Sequence, residues 1–172
     1  MSKKAVKQKI EDVIGHVLDG DTLKNALDLV SYMRENKMTP TNTSNNGWKI
    51  SSKSCVVCYI SLDVDTKILR INPFIGAYES ASLPDDLKEI VLSKKKQGTP
   101  CEICHVISDS GYNCSYKLKT IFDKNYVDAC ARSISFENPD VDELKCIIEL
   151  LKMRKDTIKN GKLLPNAPTN YV

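Results

Sequence analysis

Histidine and aromatic side chains are scarce in this sequence: two histidines, one tryptophan and three phenylalanines in 172 residues. So few imidazoles leave little material for the His-based acid–base and nucleophile–base pairs that many enzymes use. No glycine loop has phosphate-cradling spacing, and no nucleophile elbow is present. No apolar run approaches the roughly 20 residues that cross a bilayer. The opening MSKKAVKQKIEDVIGHVLDG interleaves lysines and acids where a secretory signal carries an uninterrupted apolar stretch. The expectation is a cytoplasmic protein with no membrane partner.

A strong charge of one sign is missing too. The formal net charge is +3, and the only lysine run, Lys94-Lys95-Lys96, falls at the end of an expected helix, where it complements the helix dipole. No broad basic face with interleaved aromatics is visible, so nucleic acid is not an expected partner. Asp85, Asp86, Asp140, Asp142 and Glu143 all fall in first turns of expected helices, where the dipole favours acids. His16 sits beside the apolar stripe of the first helix, a surface or core position. Catalysis is therefore poorly supported.

What is present is an ordinary globular composition, 41% hydrophobic and 27% charged. A chain of this length forms one compact domain that buries roughly two thirds of its unfolded surface. Ile10, Val13, Ile14 and Val17 recur at helical spacing. DTLKNALDLVSYMREN repeats the pattern with Leu23, Ala26, Leu27, Val30 and Met33, with Asp21 as N-cap and Gly20 at the junction. TPTNTSNNG, residues 39–47, reads as a loop of turn formers.

From Trp48 the period changes to two. Val56, Cys58, Ile60 and Leu62 are expected on one side of a strand and Cys55, Val57 and Tyr59 on the other, with Asp63 to Thr66 turning into TKILRIN. A helix is expected over about 83–96, with Ser82 and Asp85 as a capping box, Pro84 in its first turn and Gly98 and Pro100 beyond its end. SYKLKTIF reads as a strand, DKNYVDACA as a short helix and RSISF as a short strand. Asn138-Pro139-Asp140 starts a last helix with Leu144, Ile147, Ile148 and Leu151 on its core face. The fold class is α+β: a small antiparallel β-sheet covered by helices, a single domain over 1–159 with a mobile tail over 160–172.

Seven cysteines are many for a chain without a secretory signal, and an odd number cannot all pair. CEICHVISDSGYNC, residues 101–114, holds three of them. Cys101 and Cys104 have the two-residue gap of a metal knuckle, and Asp109, Ser110 and Gly111 supply a turn that can bring Cys114 back. Cys130 is the first choice for a fourth ligand, with His105 or Asp109 as substitutes. Three readings stay open: structural Zn2+, small buried hydrophobes, and a redox dithiol of Cys101 and Cys104, although no helix clearly begins at Cys101 to lower a thiol pKa. Cys55 and Cys58 also spell C-x-x-C, yet residues three apart on a regular strand face opposite sides, so without a bulge they share no metal. Cys146 lies well away from the stripe of the last helix and is expected to be an exposed thiol, unless a second packed layer covers it.

The blocks GDTLKNALDLVSYMRENKM, WKISSKSCVVCYISL, CEIC and KTIFDKNYVDACARSISFENPDVDELKCIIELLKMRK, within about residues 20–155, resemble a group of uncharacterised bacterial α+β proteins. More distantly the layout is similar to YdhG-type domains, themselves related in shape to frataxin-like iron chaperones. That resemblance implies a helix-covered antiparallel sheet and a ligand or metal function. Frataxin-like iron binding uses an acidic helix, and the first helix here departs from it by mixing Lys7 and Lys9 with Glu11 and Asp12.

The expected function is a small cytosolic binding module whose zinc is held by Cys101, Cys104, Cys114 and Cys130. Trp48, Tyr59, Phe74 and Tyr78 are the candidates to line a pocket for an unknown small molecule or protein. The alternatives are a thiol/disulfide redox protein and a protein-interaction domain without metal.

Overall fold

The computed structural model describes residues 9–44, 46–74, 83–94, 117–121, 124–130 and 134–161. Two amphipathic helices open it, α1 (Ile10–Val17) and α2 (Gly20–Glu35). A Schellman motif ends α2: Lys37 takes a left-handed φ of 58°, its N–H donates to Arg34 O, and the Met38 N–H donates to Met33 O at 2.9 Å. The chain is thereby turned directly into β1 (Thr39–Ser44). Strands β2 (Gly47–Ser52), β3 (Cys55–Asp63) and β4 (Ile68–Pro73) follow.

Helix α3 (Asp85–Ser93), the paired strands β5 (Lys117–Ile121) and β6 (Lys124–Cys130), the short β7 (Phe136–Glu137) and the long α4 (Val141–Lys159) complete the described elements. The main sheet is antiparallel with strand order β1-β2-β3-β4-β7, and β5-β6 form a separate pair. This is the expected α+β layout.

Local chemistry sets the corners. The two residues between β2 and β3, Lys53 and Ser54, both have positive φ, as a tight hairpin turn of matching twist requires. Asp63 Oδ1 accepts from the N–H groups of Thr66 and Asp65, and hydrogen bonding to Thr66 first, then to Asp65, holds its carboxyl below the usual range. Asp140 caps α4 by accepting from the N–H groups of Asp142 and Glu143, while the Glu143 carboxylate returns to the Asp140 N–H. Asn138, at φ 44°, extends the β4 ladder: its Oδ1 accepts from Leu69 N–H and its own N–H donates to Leu69 O.

The register defines two sheet faces. Trp48, Ile60, Ile71 and Phe136 are successive cross-strand partners and all are buried, with Ile50, Cys58, Leu62 and Leu69 on the same side. Helix α4 packs against β3 and β4 and also meets α2 and α3, so it is the central helix. It is accordingly buried along two lines: Leu144, Ile147, Leu151 and Ile158 on one, Cys146 and Leu150 on the other. Each such apolar side chain stabilises the fold by roughly 1.5–3 kcal/mol.

Several expectations are corrected. Residues 39–44 are an edge strand, which tolerates Pro40 and gains from the β-branched Thr39, Thr41 and Thr43. Helix α2 begins after Asp19, two residues earlier than an Asp21 cap, and Asp19 makes no side-chain cap bond. Its buried stripe runs through Ala26, Leu29, Val30 and Met33, whereas Leu27 is 38% exposed because it sits roughly 110° from that stripe's centre. Pro84 is the N-cap of α3 with no capping side chain bonded, and Ser82 lies outside the described residues. Residues 124–130 are a strand, since pairing with β5 overrides a helical spacing.

A β-bulge supplies another correction. Ile50 pairs with Cys58 but Ser51 pairs with Val56, so Val57 is the extra residue. Val56 is therefore turned to the face opposite Cys58, while Val57 is fully buried. Cys55, the partner of Ser52, joins the side of Cys58 and packs against the core.

Candidate functional site

Cys58 and Cys146 are packing groups. Cys58 is fully buried on β3, and burial pushes its pKa far up. Of the two positions open to Cys146, exposed or covered by a second packed layer, the structure has the second: it is fully buried where α3 packs over α4, with its Sγ 3.8 Å from Leu87 O. Burial first, then Asp86 and Glu143, raises its pKa to about 12. A nucleophilic or metal-binding thiol needs the opposite shift. Cys55 is half-buried. The bulge places it on the same sheet face as Cys58, which a regular strand forbids.

The metal candidates lie elsewhere. Cys101, Cys104 and Cys114, with His105 and Asp109, fall outside the described residues. Cys130 ends β6, and its backbone pairs with Lys117 at the start of β5. Among the described residues no group of three or more His, Cys, Asp or Glu is placed to hold a metal ion.

The aromatic candidates are not brought together as one wall. Trp48 is 2% exposed on the helix-covered face, and its indole N–H has no acceptor among the described residues. Tyr59 faces the other way, in a cross-strand row with Thr41, Lys49 and Asn72, so the thickness of the sheet separates it from Trp48. Phe74 follows β4, its N–H donating to Val57 O at 2.9 Å. Tyr78 lies outside the described residues.

Sequence reasoning missed the group that Phe74 does meet. Arg154 of α4 is 7% exposed, its guanidinium carbon lies 4.3 Å from the Phe74 ring centroid, and its Nε is 3.4 Å from Val56 O at the bulge. The available signal was spacing: Leu144, Ile147, Leu151, Arg154 and Ile158 follow steps of three and four, which put a charged residue in a core line. Tyr32, half-buried on α2, was also unmarked. Burial, then Glu149 and Asp156, raises its pKa, and its hydroxyl has no partner among the described residues.

No known family model, no curated protein and no solved structure matches this chain.

Proposed function

We propose that the protein is a small non-catalytic binding module of the cytoplasm, in which one zinc ion held by Cys101, Cys104, Cys114 and Cys130 orders the cysteine-bearing segment. The β5–β6 register carries the proposal. Cys130 sits opposite Lys117, and Lys117 follows Cys114 by three residues. Covalent reach alone then keeps the Cα atoms of Cys114 and Cys130 within roughly 16 Å, from about 3.5 Å per residue and a cross-strand step of about 5.5 Å. The Cys101-x-x-Cys104 knuckle supplies the other two sulfurs of a closed tetrahedral site. Reduced cytosolic conditions favour thiolate ligands over disulfides.

The body supports the same division. Cys58 and Cys146 are occupied in packing, and on the first helix Glu11 is paired with Arg34 through two hydrogen bonds of 2.9 and 3.2 Å. Tyr59, Phe74 and Tyr78 stay in the proposal as the aromatic contacts for a small molecule or protein partner; Trp48 is buried in the core.

The test is metal analysis of protein purified without added zinc, with thiols counted before and after chelation. One zinc per chain and four thiols released by chelator are expected. A reversible Cys101–Cys104 disulfide in metal-free protein would instead favour the redox alternative.

A further inference from the structure

Strand β1 ends the main sheet, so one of its two edges has no strand beside it among the described residues. The register fixes which backbone groups line that edge. The Leu62 N–H donates to Asn46 O at 2.9 Å, a bond that flanks the Gly47–Ser61 pair, so Gly47 turns its own N–H and C=O away from β3 and towards β1. Backbone groups alternate sides along a strand, so Lys49 and Ser51 also bond to β1, through their partners Thr41 and Thr39. Pro40 and Asn42 lie between and beyond those partners, and their backbone groups point outward.

Pro40 thus stands where a missing N–H costs β2 nothing and costs any further strand a bond. Past it the register shifts between Asn42 and Ser44, which leaves Thr43 as an extra residue and interrupts the outward ladder. Over residues 39–42 the open edge therefore offers two carbonyls, of Pro40 and Asn42, and a single donor, the Asn42 N–H. TPTNTS carries no charged side chain, although charge is a common way to keep an edge strand unpaired. The opposite end of the sheet is closed by other means: β7 is only two residues long, and the N–H of Ser135 just before it donates to Lys94 O at 3.3 Å.

We propose that Pro40 is the residue that closes the β1 edge, and that the strand it excludes is β1 of a second copy of this chain. A second copy is the fitting occupant because a two-fold axis lets one edge pair with itself. The β-branched Thr39, Thr41 and Thr43 make residues 39–44 a good strand in every other respect. With that edge shut, a protein partner has to meet a side-chain surface of the domain and cannot extend its sheet. The inference is independent of the zinc reading.

The test is Pro40→Thr in the full chain, which restores the outward N–H and continues the run of threonines, beside Pro40→Ala, which restores the N–H alone. In sedimentation over a wide concentration range, both variants are expected to self-associate at least about tenfold more tightly than the unmodified chain, because edge pairing adds a ladder of backbone bonds. Adding Asn42→Pro to Pro40→Thr removes the other outward donor and is expected to return association to the unmodified level. Amide exchange checks the geometry. The amide introduced at position 40 is expected to exchange fast in dilute solution and slowly once association sets in, whereas the amides of Thr39 and Thr41 are protected throughout. The proposal is overturned by variants that associate no more tightly than the unmodified chain, by association that survives Asn42→Pro, or by an amide at position 40 that is already protected in dilute solution. Loss of the fold in both single variants, read as a red shift of Trp48 emission, would overturn it too, since Pro40 would then be a residue the sheet itself needs.

Discussion

Cys58 and Cys146 sit on a strand and a helix that meet in the core, each surrounded by apolar neighbours. Cys101, Cys104 and Cys114 belong to a stretch whose centre reads Ser108-Asp109-Ser110-Gly111. In the body a thiol is a small apolar side chain, and the hydrophobic effect alone accounts for its position. A polar stretch has little apolar surface to set against an ordering cost of roughly 1–2 kcal/mol per residue. Structural zinc, with apparent energies on the order of 10 kcal/mol, is a sufficient source. On the proposed reading the same residue type plays two roles in one chain, and what surrounds it decides which.

The largest contrast is expected between Phe136→Ala and Cys104→Ser. Phe136 ends the buried cross-sheet row, so its truncation is expected to cost the body about 3–5 kcal/mol in denaturant unfolding followed by Trp48 emission. Cys104→Ser should abolish metal binding and shift that transition by less than about 0.5 kcal/mol. A body that unfolds with Cys104→Ser would break the comparison.

Next comes Cys58→Ser, which places a hydroxyl where β3 offers only apolar surroundings. A loss of about 1–3 kcal/mol is expected in the same assay. A neutral result would mean that the Cys58 site is wetter than its burial indicates.

Cys58 and Cys146 also set an alkaline limit. Burial raises the folded pKa of both, that of Cys146 from 9.0 to about 12. Above pH 9 the unfolded chain loses thiol protons that the folded chain keeps, so stability present below pH 9 is lost as pH rises towards 12. Roughly 1 kcal/mol per thiol should be gone one pH unit above 9. Cys58→Ala should flatten that fall, measured as denaturation midpoint against pH.

Asp140→Ala removes the cap of α4 and is expected to cost about 1 kcal/mol. Metal content should not change, because Asp140 caps a helix packed against β3, β4, α2 and α3.

Local features were the legible ones. The Asn138-Pro139-Asp140 start of α4, the hairpin turn at Asp63 and the α+β class all follow from spacing and capping chemistry within a few residues. Apart from the N-caps of α2 and α3, which are local misses, what failed depends on partners distant in sequence. The bulge at Val57 is a property of the β2–β3 register, and it reversed the sides expected for Cys55 and Val56. Cys146 looked exposed because one helix stripe was counted, whereas α3 covers a second. Residues 124–130 have helical spacing and still pair as a strand, since β5 offers backbone partners at both ends of the segment. Arg154 was readable as a charge in a core line, but the Phe74 ring beneath it was not.

The most direct measurement is a thiol count by mass spectrometry on the native chain, before and after chelation, with metal determined on the same sample. The account expects one zinc per chain, Cys58 and Cys146 unlabelled throughout, and Cys101, Cys104, Cys114 and Cys130 labelled only once the metal is removed. Metal-free native protein in which those four thiols react at once, or chelation that also exposes Cys58 and Cys146, would contradict it.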